Sequence, residues 1–208
     1  MAATKLKAAA TQGDVKILRD SLRGLPDAQT TPLFIVLVGL PGTGKTFLAR
    51  RLSQRFPLAV LESDALRKTL FRKPSHSAEE SAALFDACHE LIAELLEERI
   101  PVILDATNLV EANRQVLYDI ADGHGAALFI VKVHAPRGVV KRRLALRVRA
   151  KRTQEHSQAD WGVYKRMLQS EERIGRSHYE VDTSGDIEGF IDRLAGDLQK
   201  YLEEQGRN

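Results

Sequence analysis

The chain has one cysteine, one tryptophan and two methionines, and aromatic residues make up only 6% of its 208 positions. Cys88 alone cannot close a disulfide within the chain, and no Cys/His cluster has the spacing of a zinc site. It falls in a helical pattern with Leu84, Leu91, Ile92 and Leu95, so a buried small apolar residue is the expected role. No apolar run approaches the roughly 20 residues of a membrane span. The opening stretch MAATKLKAAA lacks the hydrophobic core of a secretory signal, and the expectation is a cytoplasmic protein with no membrane partner. Acids are absent from Pro136 to Gln154, where Arg137, Lys141, Arg142, Arg143, Arg147, Arg149, Lys151 and Arg152 stand together although the net charge is only +3. Such a run forms either a solvated face or a surface for anions.

What is present is an ordinary globular composition, 43% hydrophobic and 28% charged, in a length that suits one α/β domain with a full core. Residues 3 to 24 have a helical pattern that ends at Gly24, Leu25 and Pro26. This predicts an N-terminal helix and linker over 1–30, packed on a main domain over 31–208. Apolar runs at 33–38, 58–62, 101–105, 127–134 and 179–182 read as buried strands, with helical patterns between them. Ser77 with Glu80 forms a capping-box signature, and Asn108 with Glu111 repeats it before a second helix. The alternation predicts a five-stranded parallel sheet with helices on both faces, a three-layer α/β sandwich joined by right-handed crossovers.

Gly39 to Thr46, GLPGTGKT, follows the first of these strands and precedes a helical pattern through Leu48 and Leu52. That is the GxxxxGK[ST] loop in its required context. The backbone of Gly39, Leu40, Pro41, Gly42, Thr43 and Gly44, with Phe47 at the helix start, is placed to cradle phosphates. Lys45 is expected to reach the β and γ phosphates of ATP, and the Thr46 hydroxyl to sit on Mg²⁺. The loop fixes nucleotide binding and leaves the reaction open. In parallel sheets of this kind the ligand lies beyond the carboxyl ends of the strands, which directs attention to ESDALRKTLF after the second strand and DATNLVEANR after the third.

Taken together, GLPGTGKT, SDALRK, DATN before a helix bearing Arg114, and APRGVVKRRLALR resemble the P-loop kinase group that includes polynucleotide 5′-hydroxyl kinases, zeta-toxin-like kinases and AAA-family ATP-binding proteins. The resemblance covers roughly residues 33 to 183. It implies a P-loop NTPase fold with a helical lid near 137–160 and transfer of phosphate from ATP. In the polynucleotide kinases, the residue matching Asp64 accepts the proton of the incoming hydroxyl and the one matching Arg67 binds substrate phosphate.

The residues bear on the reaction independently. A motor ATPase needs a strand ending in Asp then Glu, and here Ala106 follows Asp105. No Asn-Lys-x-Asp sequence for guanine occurs, and DATNL stands where a nucleoside monophosphate kinase would usually carry a DGFPR-like segment. Transfer to a hydroxyl on another acceptor remains. Asp64, directly after the second strand, suits a general base and shares a helix face with Arg67. Asp105 is placed to orient Mg²⁺ or Lys45, and Asn108 reads as a helix cap. Arg143 and Arg147, four apart, share one face of the lid and are expected to reach the phosphates, Arg143 foremost, with Arg142 turned elsewhere. The basic excess suits a polynucleotide acceptor, but Trp161 and Tyr164 read as helix packing rather than a base-stacking platform. Sugar, nucleoside, antibiotic and cell-wall precursor acceptors stay open. A nucleotide-binding regulatory switch that transfers nothing is the alternative from another class.

Overall fold

The computed structural model describes residues 2–22, 24–150 and 160–206. Among them five strands, β1 (Leu33–Val38), β2 (Ala59–Glu62), β3 (Val102–Asp105), β4 (Ala127–His134) and β5 (Tyr179–Asp182), form one sheet. Every pairing is parallel, in the order β2-β3-β1-β4-β5. The helices are α1 (Ala2–Ser21), α2 (Lys45–Ser53), α3 (Ser63–Leu70), α4 (Ala78–Glu97), α5 (Glu111–Gly123), α6 (Arg137–Ala150), α7 (Trp161–Leu168) and α8 (Glu188–Gln205). The expected strands recur within a residue of their predicted limits, and the three-layer arrangement is the one predicted.

Strand β1 explains the layering. All six of its residues are buried, and strand periodicity sends alternate side chains to opposite faces. Phe34, Val36 and Val38 join Leu84, Leu91 and Leu95 of α4 and Leu117 of α5 on one face. Leu33, Ile35 and Leu37 join Leu48 and Leu52 of α2 and Ile191, Leu194 and Leu198 of α8 on the other. A smaller third cluster lies beyond the carboxyl ends of the strands. There Leu40 of the glycine-rich loop meets Leu109, Val140, Leu144 and Tyr164, so α6 and α7 are anchored directly to the loop.

Helix α1 packs against α3 and α4, burying Val15 and Leu18 in the first core. Arg19 reaches Glu98 at 2.7 Å and Glu94 at 3.6 Å, but these partly exposed pairs add little beside the apolar contact. The helix therefore braces α3, which carries the residues singled out after β2. The segment 137–160, where a lid is expected, contains α6 and ends at Asp160, the cap of α7. Its residues 151–159, with Lys151 and Arg152, lie outside the described residues.

Truncating Leu18, which is wholly buried, to Ala should cost about 2–5 kcal/mol of unfolding free energy, the range for deleting a buried leucine side chain. Denaturant unfolding monitored by circular dichroism would check it. A loss under about 1 kcal/mol would mean that α1 is not part of the cooperative core.

Candidate active site

The glycine-rich loop folds tightly because two of its glycines cannot be anything else. A Cβ on Gly39 would lie 2.2 Å from the carbonyl oxygen of Val133 on β4, and Gly44 has φ +100° with Thr183 pressed against it. The turn is closed by its own residues. Thr43 Oγ1 donates to the Leu40 carbonyl at 2.8 Å, and Lys45 Nζ donates to the carbonyls of Gly39 (2.9 Å) and Leu40 (3.1 Å). Lys45 is only 8% exposed. Burial lowers its pKa, Asp105 and Asp64 oppose that shift, and Arg147 adds to it.

Beside the loop, the Thr46 hydroxyl donates to Asp105 Oδ2 at 2.5 Å, which places two hard oxygens together at the start of α2. Burial raises the Asp105 pKa, while Lys45 and the bond from Thr46 pull it down. Among the described residues no group of three His, Cys, Asp or Glu side chains could hold a metal by itself. A hydroxyl with one carboxylate is the sort of partial shell that suits Mg²⁺ completed by phosphate and water.

A cleft of about 510 Å³ opens from the loop. Pro41, Gly42, Gly44, Lys45 and Thr46 form one end, and Asp64, Arg67 and Asp105 line it further on. Among the expected nucleotide contacts, Gly39, Leu40 and Thr43 shape the loop from behind, and the Phe47 side chain is 55% exposed outside the cleft. Asp64 sits in the first turn of α3, close enough to feel Lys45 and Asp105 electrostatically. Sequence reasoning missed the rest of the lining, made by His76, Ser81 and Phe85 and by Val163, Arg166 and Met167 of α7. The 163, 166, 167 spacing marks one helix face, which the neighbouring Trp161 and Tyr164 obscure in the sequence. Those two are packing residues, stacked at 4.7 Å between centroids.

Arg67 is only 7% exposed, and its Nη1 donates to Glu80 at 2.6 Å. Glu80 in turn accepts from Ser75 N at 2.6 Å, Ser75 Oγ at 2.7 Å and His76 N at 3.1 Å. The expected capping box is thus half altered: Ser77 caps α4 by accepting from Glu80 N, but the Glu80 carboxylate turns to the preceding loop and to Arg67. Burial works to raise the Glu80 pKa, and the bonds from Ser75, Arg67 and His76 outweigh it, holding the carboxyl at about 2.

Two further expectations are corrected. Asn108 is not a helix cap: α5 begins at Glu111 behind Val110, and Asn108, with φ +47°, donates to the Leu37 carbonyl at 2.8 Å. Gly39 N donates to Thr107 O at 3.0 Å alongside, so DATN fastens the end of β1. The fully buried Arg114 holds this turn by donating to Asn108 O, Glu172 O and Arg173 O. Arg143 does not enter the cleft. It donates to Thr183 Oγ1 at 2.8 Å and Thr183 O at 2.6 Å, with the Gly42 and Thr43 carbonyls at 3.4–3.5 Å. The cause is the anchoring of α6: Val140 and Leu144 seat on Leu40, which lays Arg143 over the outside of the loop and brings Arg147 to the cleft wall. Arg142 is exposed to solvent.

The AAA_33 family model, an AAA domain, matches residues 34–174, well over half of the chain. The chain belongs to this family. Curated relatives of the AAA_33 chain include L-seryl-tRNA(Sec) kinase of Methanococcus maripaludis, 28% identical over 113 residues that cover 53% of this chain and 44% of that protein. Another is the 6-phosphofructo-2-kinase/fructose-2,6-bisphosphatase of Arabidopsis thaliana, 27% identical over 132 residues, 56% of this chain and 18% of that protein. The chain thus matches less than half the length of either. Among solved structures, the APS kinase CysC of Mycobacterium tuberculosis in complex with AMPPNP and APS superposes with a TM-score of 0.58 at 19% identity, covering 86% of this chain and 99% of that one. The AAA_33 chain shares that fold.

The Glu80 carboxylate gives the AAA_33 domain an acid-sensitive joint. Its folded pKa lies below the ordinary value of 4.5, so its stabilisation is complete above about 4.5 and is lost as pH falls towards about 2. Glu80→Gln should lower stability at pH 7 and flatten the decline between those limits. Thermal unfolding across that range would check it. An acid limb as steep in the variant as in the wild type would contradict the assignment.

Proposed function

We propose that the protein is an Mg-ATP-dependent phosphotransferase that passes the γ-phosphoryl group to a hydroxyl. The observation carrying this reading is the single cleft that joins a phosphate-cradling loop to a carboxylate, Asp64, with room left beyond it. The kinase activities in the names of both curated relatives agree with it, as does the AMPPNP in the APS kinase structure.

ATP lies with its phosphates along Gly42 to Thr46, and the buried ammonium of Lys45 turns from the Gly39 and Leu40 carbonyls to the β and γ oxygens. Thr46 and Asp105 would hold Mg²⁺, which would neutralise phosphate charge when bound. The acceptor oxygen bonds to the γ phosphorus as the bond from that phosphorus to the β–γ bridging oxygen breaks. ADP leaves, and Asp64 takes the hydroxyl proton. Helices α6 and α7 serve as the lid, with Arg147 facing the charge that moves during transfer. Walls from α3, α4 and α7 suit a small molecule or a single terminal nucleotide such as a polynucleotide 5′ end, the acceptor suggested by the polynucleotide-kinase resemblance.

Lys45→Ala should abolish both nucleotide binding and transfer. Asp64→Asn should keep AMPPNP affinity within a few-fold and lower turnover by at least about 10². Calorimetry with AMPPNP and a turnover assay over an acceptor panel would separate them. Loss of AMPPNP binding in Asp64→Asn, or wild-type turnover, would remove Asp64 as the base. In the same assays Arg147→Ala should lower kcat by about 10³ with little effect on nucleotide affinity, as for arginine fingers, and Arg142→Ala should match wild type. Equal, small losses in both would reduce α6 to a solvated face.

A further inference from the structure

Four cations line the cleft, and three of them are accounted for. Lys45 belongs to the loop and its phosphates, and Arg147 faces the same end through its coupling to Lys45. Arg67 lines the cleft but is held by Glu80 and Ser81, and its Nε is buried without a hydrogen-bond partner. The ionised Glu80 also cancels its charge. The residue that the kinase resemblance assigns to substrate phosphate is therefore engaged within the protein. Arg166 is the fourth. It lines the cleft from α7, is exposed, and its guanidinium has no hydrogen bond or ion pair among the described residues. Val163 and Met167 share its helix face, and Phe85 lines the same cleft.

We propose that Arg166 recognises an oxyanion on the acceptor, and that the acceptor is a hydroxyl compound carrying a carboxylate, phosphate or sulfate together with an apolar portion seated on Phe85 and Met167. This rests on the phosphotransferase reading and deepens it. A guanidinium presents a planar fork of donors to an oxyanion, and at this place it orients a hydroxyl towards Asp64 from the end of the cleft opposite the loop. A neutral acceptor forgoes this pairing, so the site favours charged acceptors over neutral ones.

The test uses the full chain saturated with AMPPNP and Mg²⁺, so that the loop is occupied, and titrates inorganic sulfate against chloride at constant ionic strength while thermal unfolding is followed. The wild type should gain stability with sulfate. Arg166→Ala should lose that gain, Arg166→Lys should keep part of it, and the exposed Arg142→Ala should keep all of it. Paired acceptors in the transfer assay, glucose with gluconate and a nucleoside with its 3′-phosphate, separate carboxylate from phosphate as the oxyanion. In Arg166→Ala the preference for the charged member should fall by about 10- to 100-fold, as for the loss of a charged hydrogen bond. An unchanged sulfate response in Arg166→Ala, or no response in the wild type, overturns the subsite and leaves the phosphotransferase reading standing. Failure of the wild type to bind AMPPNP overturns both.

Discussion

The ammonium of Lys45 is enclosed by the backbone of its own loop, and the rest of the site is arranged around that enclosure. An ammonium kept from water needs several oxygens around it, and the carbonyls of Gly39 and Leu40 supply two, with Asp105 and Asp64 near enough to offset part of the burial. Those carbonyls point inward only because Gly39 approaches Val133 closely and Gly44 takes a left-handed turn. The loop is thus shaped by β4 on one side and by Thr183 beyond β5 on the other. Its geometry is a property of the sheet.

Fastenings from distant parts of the chain keep the loop in that shape. Gly39 is tied to Thr107, Leu37 to Asn108, and the Gly42 to Thr43 turn to Arg143 and Thr183. Arg114 locks the Asn108 turn from beneath with a fully buried guanidinium. These bonds cross strand boundaries, and removing one partner leaves a buried polar group unsatisfied, which costs about 1–3 kcal/mol. The same anchoring turns α6 so that Arg147, four residues beyond Arg143, comes to the cleft wall. Loop shape, the orientation of α6 and the charge facing the cleft are one mechanical unit.

How much of this could be read in the sequence depended on the range of each interaction. Local patterns were legible: the GLPGTGKT loop, five strands marked by apolar runs, and Ser77 at the start of α4. The split of β1 into two cores followed from alternation in Leu33 to Val38. Long-range pairing was not legible. Arg67 meets Glu80 across 13 residues and Arg143 meets Thr183 across 40, and nothing in helical spacing says which of two neighbouring arginines a distant carbonyl will capture. Asn108 misled because Asn three residues before Glu has the look of a cap, whereas a positive φ and the nearby Leu37 carbonyl gave it other work. The Val163, Arg166, Met167 face was hidden for a similar reason. Its role comes from lining one cleft with Phe85, which only the fold brings about.

On the proposed reading, this cleft moves a phosphoryl group to a hydroxyl rather than to water or nowhere. Incubation with Mg²⁺ and [γ-³²P]ATP, together with paired neutral and anionic hydroxyl compounds and 5′-hydroxyl oligonucleotides, tests it most directly by the fate of the label. Phosphoryl transfer to a hydroxyl puts label in an organic phosphate ester, stable to mild acid and dependent on Asp64. Label confined to inorganic phosphate, or left wholly in ATP across the panel while AMPPNP still binds, would contradict it and leave a nucleotide-binding switch.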